Sequence, residues 1–289
     1  MGRVDSRFVT VTGARMHYLF AGAGKPILFL HGMPTQAYLW RDIMPALSEH
    51  AMCIAPDLIG MGQSDQPKLA YSIDNHVRYL SGFIEALSLQ DITLVTHGWG
   101  SVIGLDYARR YPNKIAALAF FESHLRPIRD KRQLSLPMQQ WIAELPTASA
   151  LEAEMLKSNQ LLDYFFPNAL MGRLSPAVKA VYAKPFEQPA ARLPLVHYLQ
   201  AVPKGESDSP TLQLIARYSQ WLVASQLPKL MLYAMPGFMT TMETVAWARD
   251  QLSSLTQVCL GEALHFAQES MPAEFAQSLK NWYVDTVVK

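Results

Sequence analysis

The sequence predicts an α/β fold, a mostly parallel central sheet flanked by helices and carrying a helical cap, on three observations. Short apolar runs alternate with amphipathic helical patterns through the first 121 residues, and that alternation builds parallel strands joined by right-handed crossovers. Within it, Asp91 to Gly104 (DITLVTHGWGSVIG) reads as strand, small-residue corner and helix. From about Ile128 the strands stop, and proline-broken helical segments follow until Lys229.

Residues Arg7 to Phe20 alternate as two short strands about Thr12-Gly13-Ala14, the pattern of a hairpin. Lys25 to Leu30 is a continuous apolar strand, as expected where helices cover both faces of a sheet. His31 to Pro34 breaks it. A helix with Trp40, Ile43, Met44 and Leu47 on one stripe is expected next, then a strand over Met52 to Ala55 and a glycine-punctuated loop from Pro56 to Gly62. Asn75 to Leu87 places Val77, Leu80, Phe83, Ile84 and Leu87 at helical spacing. Ile115 to Phe121 is a buried strand that ends at Glu122. The helical stretch 128–217 reads as a cap over the carboxyl ends of the strands, where such sheets bind ligands, with 1–127 and 218–289 as the core. Strands at Lys229 to Tyr233 and Thr256 to Leu260, a helix over Met242 to Leu252 and a closing helix from Pro272 to Val287 complete the chain.

With 289 residues, half of them hydrophobic, the chain can bury a full core. A net charge of +1 offers no electrostatic reason to expect nucleic acid or an anionic membrane as partner. The basic residues Arg126, Arg129, Lys131 and Arg132 read as a solvated face. Cys53 and Cys259 each sit in a strand-like run and are expected to be core residues of a reduced protein. The N-terminus lacks the apolar segment of a signal peptide, and no apolar run reaches membrane-spanning length, so a soluble, cytoplasmic monomer or homodimer is expected. No metal-ligand spacing or phosphate-binding glycine loop occurs, so no metal and no cofactor are expected.

The strand-corner-helix at Asp91 to Gly104 has the form of a nucleophile elbow, in which the apex residue is raised on a tight turn for attack. Here the apex is Gly98, which suits the turn and has no side chain to attack with. His265, in the loop after the last strand, is placed as a general base, and Glu122, at the end of its strand, as the carboxylate that orients it. The loop after Tyr233, AMPGFMTT, offers no rival acid. The backbone at Met33 and the indole of Trp99 are candidates for stabilising developing negative charge, with His31 and His124 at the pocket edge. Ser101 and Thr96 are expected to point away from the site, and Asp106 to pair with Arg109 or Arg110.

The segments HGMPTQAYLWRDIMP, IAPDLIGMGQSDQP, HVRYLSGFIEAL, VTHGWGSVIGLDYARRYP, ESHLRPI, YSQWLVASQLPKL, MPGFMTT and LHFAQES resemble the haloalkane dehalogenases of the α/β-hydrolase superfamily, cap included. The resemblance implies attack by an elbow aspartate on the halogen-bearing carbon, followed by hydrolysis of the ester by histidine-activated water. It places that aspartate at Gly98 and the halide-binding pair at Trp99 and Met33, where the family has tryptophan and asparagine; Glu122 and His265 match its acid and base. Two departures in two motifs point away from carbon–halogen cleavage. They suggest an enzyme that uses the Glu122–His265 pair as a general base on a small, mostly apolar substrate without a covalent intermediate, by elimination, decarboxylation, cyclisation or direct hydrolysis. The alternatives are a non-catalytic protein that binds an apolar ligand, and a dehalogenase inactivated at position 98.

Overall fold

In the computed structural model, residues 3–159, 161–205 and 209–289 are described. They form an eight-stranded sheet in the order β1-β2-β4-β3-β5-β6-β7-β8. The strands are β1 (Asp5–Val11), β2 (Ala14–Ala21), β3 (Pro26–Leu30), β4 (Met52–Pro56), β5 (Ile92–Gly98), β6 (Ile115–Ser123), β7 (Lys229–Tyr233) and β8 (Leu255–Cys259). The β1–β2 and β2–β4 pairs are antiparallel, and the pairs from β4 through β3, β5, β6 and β7 to β8 are parallel. The central strands β3 and β5 are buried along their whole length, because helices cover both faces.

The helices between β3 and β6 follow the expected order with one correction. The stripe from Trp40 to Leu47 is not one helix: a 3₁₀ turn (Ala37–Trp40) and a single α turn, α1 (Met44–Leu47), divide it. Pro45, at the start of α1, suits a first helical turn and cannot continue a helix through from Trp40. Helix α2 (Ile73–Ala86) starts at Ser72, whose side chain accepts the Asn75 N–H, and α3 (Trp99–Arg110) leaves β5 directly. Asp106, fully buried, receives both Arg109 and Arg110, as its spacing suggested. Cys53 lies in the core, whereas Cys259 is exposed, since β8 is the sheet edge and buries little of its length.

Between β6 and β7 every described element is helical: α4 (Leu136–Glu144), α5 (Ala148–Lys157), a π-helical turn (Leu161–Phe165), α6 (Phe166–Ala169), α7 (Pro176–Ala183), α8 (Leu193–Ala201) and α9 (Pro210–Ala224). Residues 160 and 206–208 of the stretch expected to form a cap lie outside the described residues. The boundary drawn after residue 217 falls inside α9, a continuous helix that packs on α3. Helix α10 (Met242–Gln251) follows β7; α11 (Ala267–Ser270) and α12 (Pro272–Tyr283), which runs into a π-helical turn at Val284–Val288, end the chain. Among the described residues no helix is long and apolar enough to cross a membrane.

One buried polar cluster ties the inserted helices to the core. Glu269 accepts Arg41 Nη1 at 2.6 Å and Nη2 at 2.8 Å, and the Tyr182 hydroxyl of α7 at 2.5 Å. Arg41 also stacks over Tyr38, 4.1 Å from the ring centroid. Replacing Glu269→Ala strands the buried Tyr182 hydroxyl and leaves the guanidinium only Asp42 and the Tyr38 carbonyl, and is expected to cost about 2 kcal/mol in urea unfolding; a loss below about 0.5 kcal/mol would mean that water serves the cluster equally well.

Candidate active site

Gly98 closes β5 and opens α3 with φ +52° and ψ −125°, a turn whose positive φ glycine adopts freely. A Cβ built there would stand 3.2 Å from His265 Nε2 and 3.4 Å from its Cε1, so the imidazole faces the place where an apex side chain would begin. The neighbouring loop is equally close: a Cβ on Gly32 would lie 3.1 Å from the Trp99 backbone nitrogen and 3.2 Å from the Gly98 Cα. The sheet therefore brings Gly98, Trp99, His265 and the His31–Met33 loop to one point.

Glu122 sits near the end of β6 with φ +47°, a left-handed conformation uncommon for a residue with a side chain. Its carboxylate is fully withdrawn from water and accepts His265 Nδ1 at 3.1 Å. The loop after β7 wraps around it: the backbone N–H groups of Phe238 (3.2 Å), Met239 (2.5 Å) and Thr240 (3.1 Å) all donate to its oxygens. This loop drew notice in the sequence for lacking an acid; its function in the fold is to hold the acid of a different strand. Burial pushes the Glu122 carboxyl up to about 7, against the pull of those three amides, and pushes the His265 imidazole down to about 3. Both movements favour the uncharged forms. The resting pair thus holds a neutral imidazole with Nδ1 hydrogen-bonded to Glu122 and Nε2 turned to the vacant apex.

His265 is fixed on both sides through its backbone. Its N–H donates to the Ala169 carbonyl of α6 at 2.9 Å, and its carbonyl accepts His97 Nε2 at 2.8 Å. His97 is not among the residues singled out from the sequence; an ionisable ring directly before the apex, in a strand with no other ionisable residue, is the signal that marks it. Its ring lies 4.3 Å from that of His265 and stacks on Phe121; burial holds its pKa well below the usual histidine value. Phe165, Phe238 and Phe266 surround the imidazole at 5.6, 5.8 and 4.8 Å between ring centroids, which accounts for its desolvation.

The remaining predicted residues divide. Trp99 is buried between Tyr198 of α8 (5.0 Å) and His124 (6.3 Å), and Met33 is buried in the adjacent loop. His124 borders the site through Trp99, and its Nε2 has no hydrogen-bond partner among the described residues. His31 does not present itself to a pocket. Its Nδ1 bonds the Gly32 carbonyl at 2.8 Å and its Nε2 accepts the Leu58 N–H at 3.0 Å, so both nitrogens serve as loop ties. Ser101 and Thr96 point away as anticipated: the Ser101 hydroxyl donates to the Gly98 carbonyl at 2.6 Å, and that of Thr96 meets Ser123. Among the described residues no group of three or more His, Cys, Asp or Glu side chains is placed to hold a metal ion. A cavity of about 400 Å³ opens among the inserted helices, lined by Trp141, Leu151, Met155, Leu161 and Leu199 with Glu144 and Asp163. Trp141 meets Phe165 at 5.0 Å, so Phe165 stands between this cavity and His265.

A family model described as the alpha/beta hydrolase fold matches residues 25–272. A haloalkane dehalogenase of Agrobacterium fabrum is 34% identical over 274 residues, which cover 95% of this chain and 90% of that protein. The chain belongs to the haloalkane dehalogenase family. A second member, from Sphingobium indicum, is also 34% identical, over 95% of this chain and 94% of its own. Crystal structures of haloalkane dehalogenases from Agrobacterium tumefaciens C58 and Bradyrhizobium elkani USDA94 superimpose with TM-scores of 0.91 and 0.93, at 33% and 29% identity. They cover 98% of this chain and, respectively, 97% and 98% of theirs. The haloalkane dehalogenase fold is thus present from end to end.

Proposed function

We propose that this member of the haloalkane dehalogenase family is an enzyme that does not dehalogenate. It uses the Glu122–His265 pair as a general base on a small, mostly apolar organic substrate and forms no covalent intermediate. The observation that carries this reading is the apex: His265 Nε2 faces a backbone glycine across 3.2 Å to the position of an absent Cβ. With no carboxylate there, no ester can form, and the same nitrogen is free to take a proton from a substrate or a water. Glu122 then stabilises the imidazolium that results. The aromatic enclosure of His265 by Phe165, Phe238 and Phe266 favours an apolar substrate.

Ring opening of 5-nitrobenzisoxazole, which needs one proton abstracted by a base in an apolar pocket, tests this directly. His265→Ala is expected to lower its rate on the order of 100-fold or more. The rate of the unmodified chain is expected to rise with pH as one sigmoid. Below about 7 the Glu122 carboxyl keeps its proton and cannot stabilise the imidazolium; above that value it can. In Glu122→Gln the rise near 7 disappears. Turnover untouched by His265→Ala sinks the proposal.

A further inference from the structure

The hairpin at the start of the chain and the loop after β4 bring together a serine, a histidine and an aspartate that have no part in the elbow site. Ser6 Oγ lies 2.7 Å from His17 Nε2, and His17 Nδ1 lies 2.8 Å from Asp57 Oδ2. An ionised carboxylate only accepts, so Nδ1 carries a ring proton; in the neutral imidazole Nε2 is then the acceptor, and the serine hydroxyl donates to it. That is the tautomer in which an imidazole can draw the proton from a serine as it attacks.

Burial grades the three groups. His17 and Asp57 are each 2% exposed, whereas Ser6, on the edge strand β1, faces solvent. Asp57 is held in place by backbone donors, Ala37 N to Oδ1 at 2.6 Å and Gln63 N to Oδ2 at 2.7 Å. Gly62, at φ +55°, passes so close that a Cβ there would overlap the carboxylate at 2.1 Å. A tie between hydroxyl and imidazole needs no carboxylate behind it. The buried aspartate fixes the ring and can stabilise a charge on it, which is useful only if the ring takes up a proton. Gln63 Nε2 lies 3.5 Å from His17 Nε2, and the exposed ring of Phe8 lies 5.1 Å from the imidazole.

We propose that Ser6, His17 and Asp57 form a second, solvent-facing nucleophilic site that accepts an acyl group from activated aryl esters. Ser6 Oγ bonds to the acyl carbon while His17 Nε2 takes the hydroxyl proton. The aryl oxide then leaves and carries that proton away, and water later cleaves the seryl ester to free the carboxylic acid. Gln63 supplies a side-chain N–H to the transient oxyanion, and the face of Phe8 seats the aryl group.

A fluorophosphonate probe tests the site, because it reports the attacking oxygen itself: an O–P bond forms at Ser6, the P–F bond breaks, and fluoride departs with the proton. Peptide mapping of the labelled chain is expected to place the probe on Ser6. The label is expected to vanish in Ser6→Ala and to form on the order of 100-fold more slowly in His17→Gln. p-Nitrophenyl acetate hydrolysis is expected to fall at least about tenfold in Ser6→Ala, a change at an exposed position that leaves the core intact. Absence of label from Ser6, labelling at equal rates with and without His17, or ester hydrolysis unchanged in Ser6→Ala overturns the proposal. Mapping to Ser6 also keeps this result separate from any reaction at the elbow.

Discussion

The paired replacement Gly98→Asp with Met33→Asn is expected to release bromide from a primary bromoalkane at least about 10³-fold faster than the unmodified chain. The acid and the base for the second half of such a reaction are already in register, His265 Nδ1 on Glu122 and Nε2 on the apex. What is absent is the attacking carboxylate and one donor for the departing halide. The new Cβ would meet the imidazole edge at 3.2 Å, so the ring must give by a few tenths of an ångström, and the φ of +52° strains any side-chain-bearing residue placed there. Adding His265→Phe to the pair is expected to stop the cycle at the alkyl ester, visible as a mass increase on the peptide containing residue 98. Bromide release from Gly98→Asp alone, at the level of the pair, would assign the whole deficit to the apex and relieve Met33 of a role. A folded double variant with no release and no ester would mean that the surrounding pocket has also diverged from halide chemistry.

Lowering the pH from 7 to 5 is expected to remove most of the protein's stability, with an acid unfolding midpoint near pH 5. Five buried imidazoles are held below the ordinary value of 6.5 by desolvation: His76, His124 and His265 are pushed down to about 3, His97 falls well below 6.5, and His31 is lowered. A histidine whose folded pKa is depressed stabilises the fold above 6.5, and that contribution is lost as the pH falls towards the folded value. At pH 5 the unfolded chain gains about 2 kcal/mol from protonating each of His76, His124 and His265, or about 6 kcal/mol for the three, and His97 and His31 add in the same sense. Glu122 acts in the opposite sense. Raised to about 7 in the fold, it takes up its proton there first and returns about 2 kcal/mol over the same interval. The net loss of about 4 kcal/mol from these groups, to which His97 and His31 add, approaches the whole stability of a marginal domain. Urea unfolding at pH 7, 6 and 5 measures it, and His124→Phe is expected to flatten the dependence by about 2 kcal/mol. Stability that holds constant or increases on acidification contradicts the burial of these rings.

Legibility of this chain in its sequence followed the range of the forces involved. The hairpin, the parallel strands, the helix over Asn75 to Leu87 and the strand-to-helix passage at Gly98 came from periodicity and turn residues, which act over a few neighbours. The stripe from Trp40 to Leu47 did not, because Pro45 divides what its hydrophobic spacing joined. Cys259 also escaped, since a strand's own residues do not reveal that it stands at the edge of the sheet. At the site, Glu122 and His265 were legible because each follows a strand at the end where such sheets gather their chemistry. The position of the vacancy at Gly98 was legible as well.

The sequence by itself determined that this protein is an α/β fold with glycine at the corner between β5 and α3, because both facts reside in the order of side chains along the chain. Only the tertiary structure decided what surrounds the remaining base. His97 beneath it, the amides of residues 238–240 around Glu122, the three phenylalanines that desolvate it and the tie from Ala169 all come from segments distant in the chain. The same holds for Ser6, His17 and Asp57, which a hairpin register and one loop bring within hydrogen-bonding reach. A pKa and a proton path depend on burial and on distances of about 3 Å, and those exist only once the strands have been laid side by side.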